Sequence, residues 1–150
     1  MISELDRYHG VVLRQIVVAH GGRVSLGLAD LTGRKDSFSI DGGAFQIKHC
    51  KNRLSPWQFT YQPENFSELA ELRASFEPVW AFLVCGEDGV VGLSVDELTS
   101  ITQPGDGGQA WVRVSRSRNS MYRVSGASCE LPRPKARGVQ GFIADLVRKQ

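Results

Sequence analysis

A continuous apolar run from Val79 to Cys85 constrains this 150-residue chain more than any other feature. Seven apolar residues without alternation predict a strand that is covered on both faces. The segment between Pro63 and Pro78 has helical spacing. Before it, aromatic residues alternate with polar ones over Trp57–Tyr61, which predicts another strand. Strand, helix and buried strand in this order predict a right-handed parallel crossover and hence an α/β fold.

The preceding residues predict a helix followed by short strands. Residues 2–19 carry apolar side chains at helical spacing, and glycines end the pattern. Residues 24–31 alternate as a strand does. Phe38–Ile40 and Ala44–His49 flank an Asp-Gly-Gly sequence, which is typical of a hairpin. The predicted core is therefore helix, strands, helix, strand, with a mixed sheet.

The C-terminal part predicts smaller elements added to this core. A capping box of Ser94 and Glu97 begins a short helix, and residues 102–109 have the composition of a loop. Residues 111–114 and 121–124 predict a second hairpin. A basic tail follows, with a short amphipathic helix at 139–149.

Length and composition predict one domain over residues 1–150, with a core at 1–93 and the helix, hairpin and tail at 94–150. No apolar run approaches the roughly 18 residues of a membrane span. The three cysteines lie far apart and form no Cys-x-x-Cys pair. This usage favours a reducing compartment, so we expect a cytoplasmic protein without a membrane segment.

Charge is distributed unevenly along the chain. Residues 111–150 hold nine Lys/Arg and two Asp/Glu, whereas the first 110 residues hold nine and fourteen. Such an asymmetry predicts a basic surface that meets a polyanion such as nucleic acid. The alternative is a solvated basic tail that only keeps the protein in solution.

Candidate catalytic residues cluster on the first hairpin. Gln46 and Lys48 are two residues apart, so they project from the same face of a strand. Asp36 lies just before the neighbouring strand and is expected near them. Oxygen ligands from Asp36 and Gln46 suit Mg²⁺, and a lysine stabilises developing negative charge. This set predicts metal-assisted phosphodiester cleavage, and the alternative is a plain hairpin with solvated outer residues.

In these residues the chain resembles the restriction-endonuclease-like superfamily, the PD-(D/E)XK nucleases, over about residues 3–85. The family core is a helix, three strands, a helix and a strand. The resemblance implies that Asp36 is the motif aspartate and Lys48 the motif lysine, with Gln46 in place of the second acid. It also implies that Glu4, on the first helix, adds to the site.

Two basic clusters are candidate nucleic-acid contacts. Lys51 and Arg53 lie close to Trp57, which is either a stacking residue or a core anchor. The second hairpin carries four arginines near two aromatic residues, and its alternative role is an edge hairpin protected by charge. The four are Arg113, Arg116, Arg118 and Arg123.

These observations leave three functional hypotheses. The first is a nucleic-acid-processing protein, an endonuclease-like, Mg²⁺-dependent phosphodiesterase. The second is a catalytically inactive nucleic-acid-binding module, which the replacement of an acid by Gln46 motivates. The third is a protein-interaction subunit of a larger nucleic-acid-processing or defence complex, with a protein partner.

Overall fold

The computed structural model describes residues 1–29, 36–103 and 108–149. The mixture of helices with parallel and antiparallel strands confirms the predicted α/β class. In chain order, the elements within these ranges are α1 (Glu4–His20), β1 (Leu26–Leu28), β2 (Ser37–Ile40), β3 (Gly43–Cys50), β4 (Trp57–Tyr61), α2 (Pro63–Ser75), β5 (Val79–Cys85), β6 (Gly89–Ser94), α3 (Val95–Thr102), β7 (Ala110–Ser115), β8 (Arg123–Gly126) and α4 (Gln140–Arg148).

A five-stranded mixed sheet forms the centre, in the order β1-β2-β3-β5-β6. Strands β3 and β5 run parallel, and the other neighbours are antiparallel. The predicted β2–β3 hairpin is confirmed, and its turn residues Asp41 and Gly42 both have positive φ, at 46° and 98°. A two-residue hairpin turn requires this conformation, which Asp and Gly tolerate better than branched residues.

Both faces of the central sheet are covered, and all seven residues of β5 are buried, as predicted. Phe45 and Phe82 belong to one core cluster, which also contains residues of α1 and α4. Ala44 and Leu83 belong to the other cluster, with residues of α2, α3 and a second sheet. Alternation along β3 and β5 thus divides the interior into two layers.

The second sheet has the order β4-β7-β8, and it corrects one prediction. Val79–Cys85 was expected to be the parallel neighbour of Trp57–Tyr61, with α2 as the connection between the two strands. Instead, β5 pairs with β3, and β4 pairs with β7. The reason is burial: β4 alternates buried and exposed residues, which suits a sheet with one solvated face, whereas β5 needs cover on both faces.

Several predicted boundaries also differ, including that of the second strand of the second hairpin, which was predicted at 121–124 and is β8 at Arg123–Gly126. Helix α1 begins at Glu4 rather than residue 2, because the Ser3 hydroxyl accepts a bond from the Asp6 amide at 3.0 Å. The strand predicted at 24–31 is the short, exposed β1, and residues 30 and 31 lie outside the described ranges. The loop predicted at 102–109 starts one residue later, and its residues 104–107 lie outside them too.

Candidate functional site

A cavity of about 250 Å³ lies where α1, β3 and β4 meet at the open end of the β2–β3 hairpin. Asp36 and Lys48 both line it, so the structure brings these two predicted site residues together. The Ile47 amide donates to the Asp36 carbonyl at 2.9 Å, which holds Asp36 beside β3. The lining residues are Leu5, His9, Asp36, Ile47, Lys48, His49, Gln58, Phe59 and Thr60.

Gln46 is outside this lining and lies in the interior, with a side chain that is 1% exposed. It sits directly opposite Ser37 in the hairpin, so the two side chains share a face of the sheet. Both polar atoms of the Gln46 amide are buried and have no hydrogen-bond partner among the described residues. A buried amide without a partner costs free energy, so the Gln46 side chain lowers the stability of the fold.

Glu68 of α2 is a buried acid that the sequence did not single out. It is 3% exposed, and its carboxylate accepts a hydrogen bond from the Ser37 hydroxyl. Asn65 and Leu72 lie three residues before and four after it and are also buried, so helical spacing was the available signal. Ser37 therefore connects Glu68 to the face of the sheet that carries Gln46.

Lys48 and Tyr61 extend this polar cluster toward the cavity. The Lys48 ammonium lies 4.9 Å from the centroid of the Tyr61 ring. The Tyr61 hydroxyl and the Oδ1 atom of Asp36 are buried without a hydrogen-bond partner in the described part of the chain. Burial raises the pKa of the Tyr61 hydroxyl above its usual range, and the nearby Asp36 charge adds to this effect.

Two histidines line the cavity, and both favour the neutral form. Burial lowers the pKa of His9 below its usual range, and the charge of Asp36 only partly opposes this. Burial also lowers the pKa of His49, helped by Lys51 and opposed by Glu4. Neutral imidazoles can accept a proton or coordinate a metal at pH 7.

Glu4 lies next to the lining residue Leu5, in the first turn of α1. Its exposed carboxylate pairs with the Lys51 ammonium at 3.1 Å. The structure thus joins Glu4 to a predicted nucleic-acid contact rather than to Asp36. Within the described ranges, no group of three or more His, Cys, Asp or Glu residues is arranged to hold a metal ion.

Arg116 is half-buried and bound to other residues of the chain. Its Nε and Nη2 atoms donate to the two carboxylate oxygens of Asp88 at 2.9 and 2.6 Å, and the Tyr122 hydroxyl donates to the same group at 2.6 Å. The Arg116 hydrogen bonds hold the pKa of Asp88 below its usual range. The guanidinium therefore ties the end of β7 to the β5–β6 turn.

The other predicted basic contacts lie at the surface. Lys51, Arg53, Arg113, Arg118 and Arg123 are exposed. Arg123 is 3.6 Å from Glu130, and Lys51 binds Glu4. In the tail, Lys135 binds both oxygens of Glu97 at 3.0 Å.

The tryptophans divide between core and surface. Trp57 is 2% exposed, and its indole N–H donates to the Asn52 carbonyl at 2.8 Å. The core-anchor interpretation of Trp57 is therefore confirmed. Trp111, on β7, is 39% exposed and lies directly opposite Thr60 of the cavity lining.

No helix in the described ranges combines the length and apolarity needed to cross a membrane. Comparison of the chain with protein-family models, curated proteins and solved structures finds no match.

Proposed function

We propose that this chain is a nucleic-acid-processing protein that hydrolyses phosphodiester bonds with the help of Mg²⁺ at the cavity between α1, β3 and β4. The observation that carries the proposal is the convergence of Asp36 and Lys48 on this cavity. At such a cavity a carboxylate is suited to a hard cation and an ammonium to a charged phosphate group.

The order of elements supports a restriction-endonuclease-like core. Helix α1 precedes three consecutive antiparallel strands, β1 to β3, and α2 precedes β5, which is parallel to β3. This is the helix, three-strand, helix, strand order that the resemblance implies. Strand β4 is an addition that leaves the central sheet and pairs with β7.

Asp36 would hold a hard cation at the cavity, because its Oδ1 atom has no hydrogen-bond partner among the described residues, whereas the unpartnered amide oxygen of Gln46 lies outside the cavity lining. A bound Mg²⁺ would lower the pKa of a coordinated water and polarise the phosphate. The Lys48 ammonium is suited to the negative charge that develops on the phosphate oxygens. His9, which is neutral at pH 7 and lines the same cavity, is suited to accept the proton of the attacking water.

The test is incubation of the purified protein with plasmid, linear duplex and single-stranded nucleic acid, with Mg²⁺, Mn²⁺ or EDTA. Cleavage by the wild type that EDTA stops, and that Asp36→Asn and Lys48→Ala each abolish, is the expected result. Asp96→Asn and Lys149→Ala are matched controls, because both residues lie on another cavity lined by α3 and α4 residues. Cleavage that persists in Lys48→Ala refutes the proposed site.

A second candidate function is nucleic-acid binding without catalysis. The observation that favours it is that Asp36 supplies the only carboxylate among the described lining residues, and that Gln46 is neutral. Binding that is unchanged by EDTA, without cleavage under any metal condition, would support this candidate. Absence of both binding and cleavage would instead favour a role in contact with a protein partner.

A further inference from the structure

We propose that the solvated face of the second sheet binds single-stranded nucleic acid and leads it to the cavity. This inference rests on the proposed function, because it names the substrate class of the same site. Alternation along β4, β7 and β8 leaves one face outside the core, which we call the outer sheet face. Its residues are Gln58, Thr60, Trp111, Arg113, Ser115, Arg123 and Ser125. None of them is acidic, and Glu130 pairs with Arg123 at the β8 edge of the face.

Trp111 supplies a surface on which a base can stack. Its neighbours on the strand, Ala110 and Val112, point into the core, whereas the indole ring lies at 39% exposure. Within the described residues, no other aromatic ring packs against it and its N–H donates no hydrogen bond. Exposed aromatic rings on a sheet bind unpaired bases by stacking, whatever the base.

Arg113 supplies positive charge two residues from Trp111 on the same strand. It lies opposite Gln58 on one side and Ser125 on the other. No carboxylate among the described residues pairs with it, in contrast to Arg116, which is bound to Asp88. An unpaired arginine flanked by neutral hydrogen-bonding side chains is complementary to a phosphate.

The position of these residues argues against a purely protective role for the charge. Charged side chains protect sheets from aggregation when they lie on edge strands. Strand β7 is central, because it pairs with β4 and with β8. Trp111 and Arg113 therefore lie in the middle of the outer sheet face, where protection of an edge does not explain them.

The outer sheet face is continuous with the cavity. Thr60 and Gln58 line the cavity and are the direct cross-strand partners of Trp111 and Arg113. Adjacent strands lie about 4.8 Å apart, so the stacking ring is one strand from the cavity wall. A strand held on Trp111 thus has its neighbouring phosphates beside the cavity. In a duplex the base faces are stacked on one another, so the ring selects an unpaired strand.

The test measures binding in EDTA, which prevents metal-dependent cleavage, with labelled single-stranded DNA, single-stranded RNA and duplex DNA of one sequence. Wild type is expected to bind one or both single strands more tightly than the duplex. Trp111→Ala should weaken single-strand binding about ten-fold or more, and Trp111→Phe should retain most of it. Arg113→Gln should reduce the slope of the logarithm of the binding constant against the logarithm of salt concentration by about one phosphate contact. Arg73→Gln is the matched control, since Arg73 is paired with Asp96.

Tryptophan fluorescence gives a second readout, which reports contact between a base and the indole ring rather than the strength of binding. Of the three tryptophans, Trp57 and Trp80 are buried, so quenching by a bound base should come from Trp111 and disappear in Trp111→Phe. Equal single-strand affinity of wild type and Trp111→Ala, or preference for duplex, overturns the inference. The two proposals are separated by Asp36→Asn, which should lose cleavage but keep Trp111-dependent binding of single strands. Trp111-dependent binding without cleavage refutes only the phosphodiesterase, and cleavage that is insensitive to Trp111→Ala refutes only the outer sheet face.

Discussion

Replacement of Gln46 by methionine should make the protein more stable and less active. Gln46 is almost fully buried, and its amide oxygen and nitrogen have no hydrogen-bond partner among the described residues. Methionine has a similar length, is also unbranched, and carries no group that must be solvated. The substitution therefore removes the penalty of a buried amide while it fills the same space.

The size of the effect follows from the burial. A buried polar group without a partner destabilises the fold by about 1–3 kcal/mol, and the substitution removes this penalty. Imperfect packing of the methionine side chain offsets the gain by up to about 1.5 kcal/mol. The centres of these two ranges give a net gain of about 1 kcal/mol in the free energy of unfolding. For a domain of this length each kcal/mol shifts Tm by about 2–4 °C, so Tm should rise by about 2–4 °C.

Thermal and urea unfolding of wild type and Gln46→Met, without added metal, provide the measurement. Gln58→Met is the matched control, because Gln58 is exposed on β4 and its replacement should change stability by less than about 0.5 kcal/mol. Loss of stability in Gln46→Met would refute the reasoning, since it would mean that the amide is hydrogen-bonded in solution, for example to a buried water. Gain of stability together with loss of cleavage assigns Gln46 to the site.

Three further predictions concern stability. Gly86→Ala should lower the free energy of unfolding in urea by about 1–3 kcal/mol, because Gly86 has φ +53° and a Cβ there would lie 2.2 Å from the Asn52 carbonyl oxygen. Gly10→Ala, in open space on α1, is the control and should not destabilise the protein. Because burial lowers the pKa of His9, the unfolded chain binds its proton more readily. Stability should thus fall as pH drops from about 7 to 5, and His9→Gln should reduce this slope. Asp88→Asn should lower Tm at neutral pH. The difference in Tm from wild type should narrow below about pH 4, because the wild-type Asp88 carboxylate then becomes protonated and loses its stabilising contacts.

Elements with local signals could be predicted from the sequence. Pro63 begins α2, the Ser94–Glu97 capping box begins α3, and the Asp-Gly turn joins β2 to β3. In each case the residues that determine the conformation lie within a few positions of each other. The run Val79–Cys85 belongs to the same class, because its burial on both faces follows from its own composition.

Strand pairing was less predictable, because the partners are distant in sequence. The alternation of Trp57, Phe59 and Tyr61 specifies one buried face and fits any sheet that offers a core on one side. Its partner β7 begins only at Ala110, and the two strands pair over five residues. The second hairpin was predicted as an addition to the core, but the sequence did not indicate that β4 belongs with it.

The candidate site shows the same division. The spacing of Gln46 and Lys48 and the short hairpin made the approach of Asp36 to Lys48 predictable, and the two residues do share a cavity. Helical spacing places Glu68 on the buried face of α2, but the hydrogen bond that it accepts from Ser37, thirty-one positions earlier, lies in no local pattern. Non-local contacts therefore determine which polar side chains surround the cavity.

The arginines of the second hairpin show why this matters for function. Arg113 and Arg116 are equivalent in composition arguments, because both lie in the same basic stretch. Asp88, contributed by the β5–β6 turn, binds Arg116 through two hydrogen bonds, whereas alternation on β7 turns Arg113 outward beside Trp111. Loss of nucleic-acid affinity in Arg113→Gln with an unchanged Tm, and loss of Tm in Arg116→Gln, would establish that position in the sheet rather than local charge determines which arginine meets a phosphate.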